Sequence, residues 1–108
     1  MDIWNEKTVE SSLLYLRDTD EDWATAKARV FGLEKTEKVI LAEGYLEATG
    51  TVDERKSIAL TSDVYSDWQK SHEDAVLDLN TLTAKRATKM TFIEAWRSIY
   101  SGRKRGNI

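Results

Sequence analysis

Ala48-Thr49-Gly50-Thr51-Val52-Asp53 is the one place in the chain where a glycine turn signal stands directly before helix-capping residues. Glycine takes the positive-φ backbone that closes one helix, and Thr or Asp accepts the free amide hydrogens that open the next. The chain has no proline, and its other glycines, at 32, 44, 102 and 106, lack such neighbours. The main reversal is therefore predicted at Gly50, in a left-handed cap conformation that a branched residue would disfavour. After it, Thr51 or Asp53 is predicted to cap a brief helix through Leu60, followed by a bend near Thr61. Ser62 or Asp63 then opens the last and longest helix, to about Tyr100.

Upstream of the reversal, Glu6 to Arg17 reads as a short helix with Val9, Leu13, Leu14 and Leu16 on one side. Asp18 to Asp22 reads as an acidic break, and Thr19 or Asp20 as the cap of a helix running to about Ala48. Within that helix Trp23, Ala26, Val30, Leu33, Glu37, Ile40 and Gly44 alternate in steps of three and four, the spacing of a seam packed on another helix. Phe31, Leu41, Tyr45 and Ala48 are expected to broaden that face. Beyond the turn the same alternation runs through Tyr65, Trp68, His72, Ala75, Leu79, Leu82, Arg86, Lys89, Ile93, Trp96 and Tyr100. A helix of about 35 residues spans about 50 Å at 1.5 Å per residue and is stabilised chiefly by packing its apolar stripe. The predicted fold is therefore all-α: an antiparallel long-helix hairpin, coiled-coil-like, with a short N-terminal helix and a short helix after the turn. Residues 1–101 are expected to form a single helical domain and residues 102–108 a flexible basic tail. The uncovered part of the long seam is where the N-terminal helix, or a second subunit in a homodimer, would pack.

Composition sets limits on function. The 108 residues leave room for one modest core, 41% of them are apolar, and 32% are charged against about 25% in an average domain. With no cysteine, a disulfide framework, a thiolate zinc site and a thiol nucleophile are all excluded. No run approaches the ~20 apolar residues of a membrane span, and no leader pattern is legible at the N-terminus. A cytoplasmic protein that does not engage membranes is expected, in the host cell's cytoplasm if the chain is phage-encoded.

Charge is the most informative functional feature. Residues 1–50 carry six Lys/Arg against eleven Asp/Glu, residues 51–83 three against seven, and residues 84–108 seven against one. The formal net charge is −3, yet binding follows local potential, and Lys85, Arg86, Lys89, Arg97, Arg103, Lys104 and Arg105 form a cationic pole. Trp96 and Tyr100 fall on or beside the same stripe. Cations that hold phosphates and rings on which bases stack are the combination used on single-stranded nucleic acid. The same residues also suit a plainer account, in which cations answer the negative end of a helix dipole and the rings are core or dimer contacts.

No chemistry is prescribed elsewhere. His72, the lone histidine, has Glu73 and Asp74 beside it, but the Glu-x-x-His pair of di-iron bundles would need glutamate where Gln69 stands. A polar layer that fixes helix register, with a partner on the facing helix, is the expected role. There is no nucleophile elbow and no glycine-rich phosphate loop, so an enzyme is not expected, nor a metal or cofactor. The acidic clusters at Asp18–Asp22 and Asp63–Asp78 have the chemistry for magnesium or phosphate mimicry, but capping and solvation explain most of those carboxylates without further function.

Three short patterns also carry a resemblance. Gly50-Thr51-Val52-Asp53-Glu54-Arg55, Ala59-Leu60-Thr61-Ser62-Asp63-Val64-Tyr65 and Glu94-Ala95-Trp96-Arg97-Ser98 occur in that order. Over about residues 20–100 the chain resembles a group of small bacteriophage-encoded helical proteins with the patterns Gly-Ser/Thr-Val-x-Glu-Arg, Ala-x-x-Ser-x-x-Tyr and Glu-x-Trp-Arg-Ser/Thr. The resemblance implies a phage origin and a setting among replication and recombination genes, with no assigned activity. Where those proteins continue with a polar stretch, this chain has the more cationic Ile99-Tyr100-Ser101-Gly102-Arg103-Lys104-Arg105. The function expected is a phage accessory protein that binds DNA, single strands above all, through this basic end. The alternative is a non-catalytic module that docks on a host or phage protein through apolar anchors such as Trp23, Phe31 or Trp68.

Overall fold

Side-chain caps decide where the helices begin. The computed structural model describes the backbone of residues 5–106 and the side chains of residues 5–102. Asn5 accepts the Thr8 amide hydrogen through Oδ1 at 2.9 Å, and α1 (Glu6–Glu47) starts on that cap. Beyond its end Gly50 takes a φ of 118°, the left-handed conformation the sequence demands there. Thr51 then accepts the Glu54 amide hydrogen at 3.2 Å and opens α2 (Val52–Leu60). At Thr61 both the amide and the hydroxyl donate to the Ser57 carbonyl, at 3.1 and 2.8 Å, and the backbone leaves the helical region at φ −103° and ψ 8°, which ends the helix. Ser62 accepts the Tyr65 amide hydrogen at 3.2 Å and opens α3 (Asp63–Gly106). Of the alternatives the sequence offers, Thr51 and Ser62 cap, while Asp53 and Asp63 sit in the first turns, at the positive dipole ends.

The separate short N-terminal helix does not form. α1 is one helix of 42 residues that passes through Asp18–Asp22 without a break. A cap residue caps only where a helix starts; inside one, an Asp costs at most about 0.7 kcal/mol, less than a fresh nucleation. Thr19 instead donates its hydroxyl to the Tyr15 carbonyl at 2.8 Å, and Asp18 pairs with Arg17 at 3.0 Å on the solvent side. α3 likewise runs past Tyr100 to Gly106, because Arg and Lys are good helix formers and one glycine is tolerated. The side chains of Arg103, Lys104 and Arg105, and residues 107 and 108, lie outside the described residues.

The chain divides into two compact units, Thr25–Leu79 and Met1–Ala24 with Asn80–Ile108. In the first, contacts run Arg29 to Asp78 (3.3 Å), Leu33 to Trp68 (2.8 Å) and Glu37 to Tyr65 (3.1 Å), so numbers rise along α1 as they fall along α3: an antiparallel pair. Its core is thin and aromatic. Tyr65, Trp68 and His72 form a ring stack with centroids 5.5 and 5.0 Å apart and planes within about 11°. Each ring is tied to α1: the Tyr65 hydroxyl donates to Glu37, the Trp68 indole N–H to the Leu33 carbonyl, and His72 Nε2 lies 3.5 Å from Glu34 Oε1. His72 thus has the facing-helix partner expected of a register-fixing layer. Burial and the Glu37 carboxylate hold the Tyr65 phenol above its usual pKa of 10.0.

Small residues let α1 and α2 approach. A Cβ built on Gly44 would lie 3.2 Å from both Cα and Cβ of Ala59, which is buried. Arg55 locks the reversal by donating Nε–H to the Ala48 carbonyl at 3.1 Å while its guanidinium covers the Tyr45 ring at 4.6 Å. It thus engages a carbonyl and a ring. The seam positions from Trp23 to Gly44 are all half-buried. Phe31 is not on that face: it is 59% exposed, one residue and about 100° round from Val30, with the Lys35 ammonium 4.2 Å above its ring.

In the second unit the α1 and α3 segments are also antiparallel: Trp23 donates to Thr83 Oγ1 at 3.0 Å, and Tyr15 faces Lys89. Ser12 is fully buried and satisfied by donating its hydroxyl to the Thr8 carbonyl at 2.7 Å. Among the described residues no buried side-chain polar atom lacks a hydrogen-bond partner. No helix among them is long and apolar enough to cross a membrane.

Candidate functional site

The basic segment of α3 places its charges by helical spacing. Lys85, Lys89, Trp96 and Tyr100 follow one another at multiples of three and four residues and share a stripe, while Arg86 and Arg97 flank it. Their surroundings differ sharply.

Arg86 is committed to the protein interior. Its Nη1–H groups donate to the Leu16 carbonyl and to Thr19 Oγ1, each at 2.8 Å, and Nη2 pairs with Asp20 Oδ1 at 2.7 Å. The guanidinium also lies 5.1 Å from the Trp23 ring, and only 14% of the side chain is exposed. Such a fork, satisfied on several sides, holds α1 to α3 in this unit and leaves little to offer a ligand. The sequence placed Arg86 among the phosphate contacts; the structure gives it a tethering role instead, because the acidic residues of α1 continue the helix and so come to face it.

The other described cations of this segment differ from Arg86. No acid lies within ion-pairing distance of Lys85, Lys89 or Arg97 among the described residues. Lys89 is half-buried, with its ammonium 5.7 Å from the Tyr15 ring centre and 5.8 Å from that of Phe92. Lys85 and Arg97 are exposed. Trp96 and Tyr100 stack on each other with centroids 5.3 Å apart and planes 14° from parallel. Trp96 is half-buried and Tyr100 is 53% exposed, so the pair presents the tyrosine to solvent.

Two clefts adjoin these residues. One, of about 650 Å³, is lined by Glu94, Arg97, Ser98, Ser101 and Gly102. The other, of about 410 Å³, is lined by Tyr15, Lys85, Thr88 and Lys89. Tyr15 and Thr88 were not singled out by the sequence: Tyr15 lies about seventy positions from Lys85, and only the antiparallel pairing brings it there. Arg103, Lys104 and Arg105 lie outside the residues whose side chains are described. No group of three or more His, Cys, Asp or Glu side chains suited to a metal ion occurs among the described residues.

Of the apolar anchors considered for a protein partner, Trp68 is buried and Trp23 is half-buried and bonded to Thr83, which leaves Phe31. Exposed apolar side chains do gather in sequence about the reversal: Leu46, Val52, Ile58, Leu60 and Val64. A smaller cleft of about 230 Å³ there is lined by Leu41, Tyr45, Lys56, Ala59 and Leu60. Comparison with family models, curated proteins and solved structures finds no match to this chain, so the resemblance to phage-encoded helical proteins is carried by the quoted residues alone.

Proposed function

We propose that this chain is a non-catalytic accessory protein that binds nucleic acid, single strands in preference to duplex, through the basic segment of α3. The observation that supports the reading most is that, among the described residues, Lys85, Lys89 and Arg97 have no carboxylate partner and lie on the C-terminal half of α3 with the stacked Trp96–Tyr100 pair. Unpaired cations release counterions when they meet phosphates, and an exposed ring offers a base a stacking surface without regard to sequence. Arg103, Lys104 and Arg105 extend the charge; Arg86 supports the segment from behind. The architecture that goes with this reading is an antiparallel, coiled-coil-like hairpin of α1 and α3 that pairs with a second copy. A phage setting among replication and recombination genes is the biological context that the resemblance implies.

Fluorescence anisotropy of labelled single-stranded and duplex DNA, titrated across salt, tests it against a variant ending at Ser101. Tight single-strand binding should weaken steeply with salt, and the truncation should lower the slope of log affinity on log salt by about 0.7 for each phosphate that the shortened chain leaves unneutralised. Absence of binding at low salt would refute the proposal. The second reading, a protein-docking module, draws on the exposed apolar residues about the reversal and predicts binding that changes little with moderate salt and is lost on Leu60→Asp.

A further inference from the structure

We propose that the cleft lined by Tyr15, Lys85, Thr88 and Lys89 is a subsite for one unstacked nucleotide, with the phosphate between the two lysines and the base on the Tyr15 ring. This inference rests on the reading of the basic segment as a nucleic-acid surface and deepens it by placing a single nucleotide.

The chemistry of the lining is selective. At about 410 Å³ the cleft falls within the ~300–1,000 Å³ typical of small-molecule sites. Among the described residues no carboxylate lines it. Lys85 and Lys89 stand one helical turn apart on α3, close enough for their ammonium groups to share one phosphate. Lys89 now rests 5.7 Å from the Tyr15 ring and 5.8 Å from the Phe92 ring, a cation–π arrangement that leaves its N–H donors without an acid. A phosphate drawing that ammonium toward Lys85 uncovers the Tyr15 ring, and the base takes the cation's place on it. The hydroxyl of Thr88 donates to the Ala84 carbonyl at 3.1 Å, so its lone pairs face outward as acceptors for an amino or hydroxyl hydrogen of the nucleotide. Duplex DNA cannot use the cleft, since its bases present no free face; an unpaired strand or a free nucleotide can.

The test uses the full chain with an oligonucleotide carrying one 2-aminopurine, a matched duplex, and a 5′-mononucleotide as competitor. Tyr15→Leu should weaken single-strand binding about tenfold and abolish quenching of the 2-aminopurine, while Tyr15→Phe should stay within about twofold of the parent. The double variant Lys85→Ala/Lys89→Ala should lower the single-strand salt slope by about 0.7, the share of the one phosphate the two lysines hold. Duplex affinity should not respond to Tyr15→Leu. Parent-like single-strand affinity and quenching in both Tyr15→Leu and the double lysine variant would overturn the subsite, and the wider reading would stand if truncation at Ser101 still removed binding. Binding of the mononucleotide without the oligonucleotide would keep the subsite and overturn the strand-binding reading. Binding of neither would overturn both.

Discussion

The Thr25–Leu79 unit and the unit of Met1–Ala24 with Asn80–Ile108 use the same antiparallel pairing of α1 with α3, yet they are held together by different chemistry. In the first, rings and small residues make the contact: Tyr65, Trp68 and Ala75 are buried, and Gly44 abuts Ala59. In the second, cations reach across the seam: Arg86 ties to Leu16, Thr19 and Asp20, and Lys89 lies near Tyr15 and Phe92. A seam position filled by Trp excludes water and adds stability through area; one filled by Arg or Lys keeps a charge near the surface, where a ligand can compete for it. Within residues 80–102 the seam thus gives up packing for charge, while in residues 25–79 it is filled by buried rings and small side chains.

Replacing Trp68 should have the largest effect. Trp68→Ala removes a buried ring, breaks the stack on both sides and orphans the Leu33 carbonyl bond, and should cost about 3–5 kcal/mol in urea denaturation. Trp96→Ala, at a half-buried site, should cost less than half as much. Equal costs at the two positions would erase the contrast between the units.

Arg86→Ala comes next, at about 1.5–3 kcal/mol for the loss of charge-assisted bonds to Leu16, Thr19 and Asp20. Hydrogen exchange should then speed up in residues 6–24 and leave residues 25–79 protected. Arg86→Lys should recover only part of the loss, because an ammonium cannot reproduce the guanidinium fork. The smallest effect is a pH dependence confined to the aromatic unit. The Tyr65 phenol has its pKa raised by burial and by Glu37, so its contribution is fully present below the unfolded value of 10.0 and is lost as pH rises through the folded value. Thermal melts from neutral pH to about pH 11 should fall less steeply on the alkaline side for Tyr65→Phe than for the parent.

Legibility followed the range of the interaction. Gly50, Thr51, Thr61 and Ser62 act within a few residues of themselves, and each does what its neighbours in sequence foretell. Asp18–Asp22 misleads for the same reason: the local signal is a cap, but Asp20 finds its partner in Arg86, sixty-six positions away. The lysines and aromatics of the basic segment were visible by composition and spacing, whereas the withdrawal of Arg86 and the arrival of Tyr15 were not.

The sequence by itself determined the helical class, the place of the reversal and the seam positions from Trp23 to Gly44, and it narrowed each cap to two residues, because hydrophobic spacing and capping are short-range and periodic. Only the tertiary structure decided that α1 runs unbroken, that Phe31 faces solvent, and that Arg86 is bonded to α1. Those outcomes depend on which residue of one helix meets which residue of another, and in each unit that register is fixed by side chains far apart in the chain: the Trp68 and Tyr65 bonds to α1 in one, the Arg86 fork in the other.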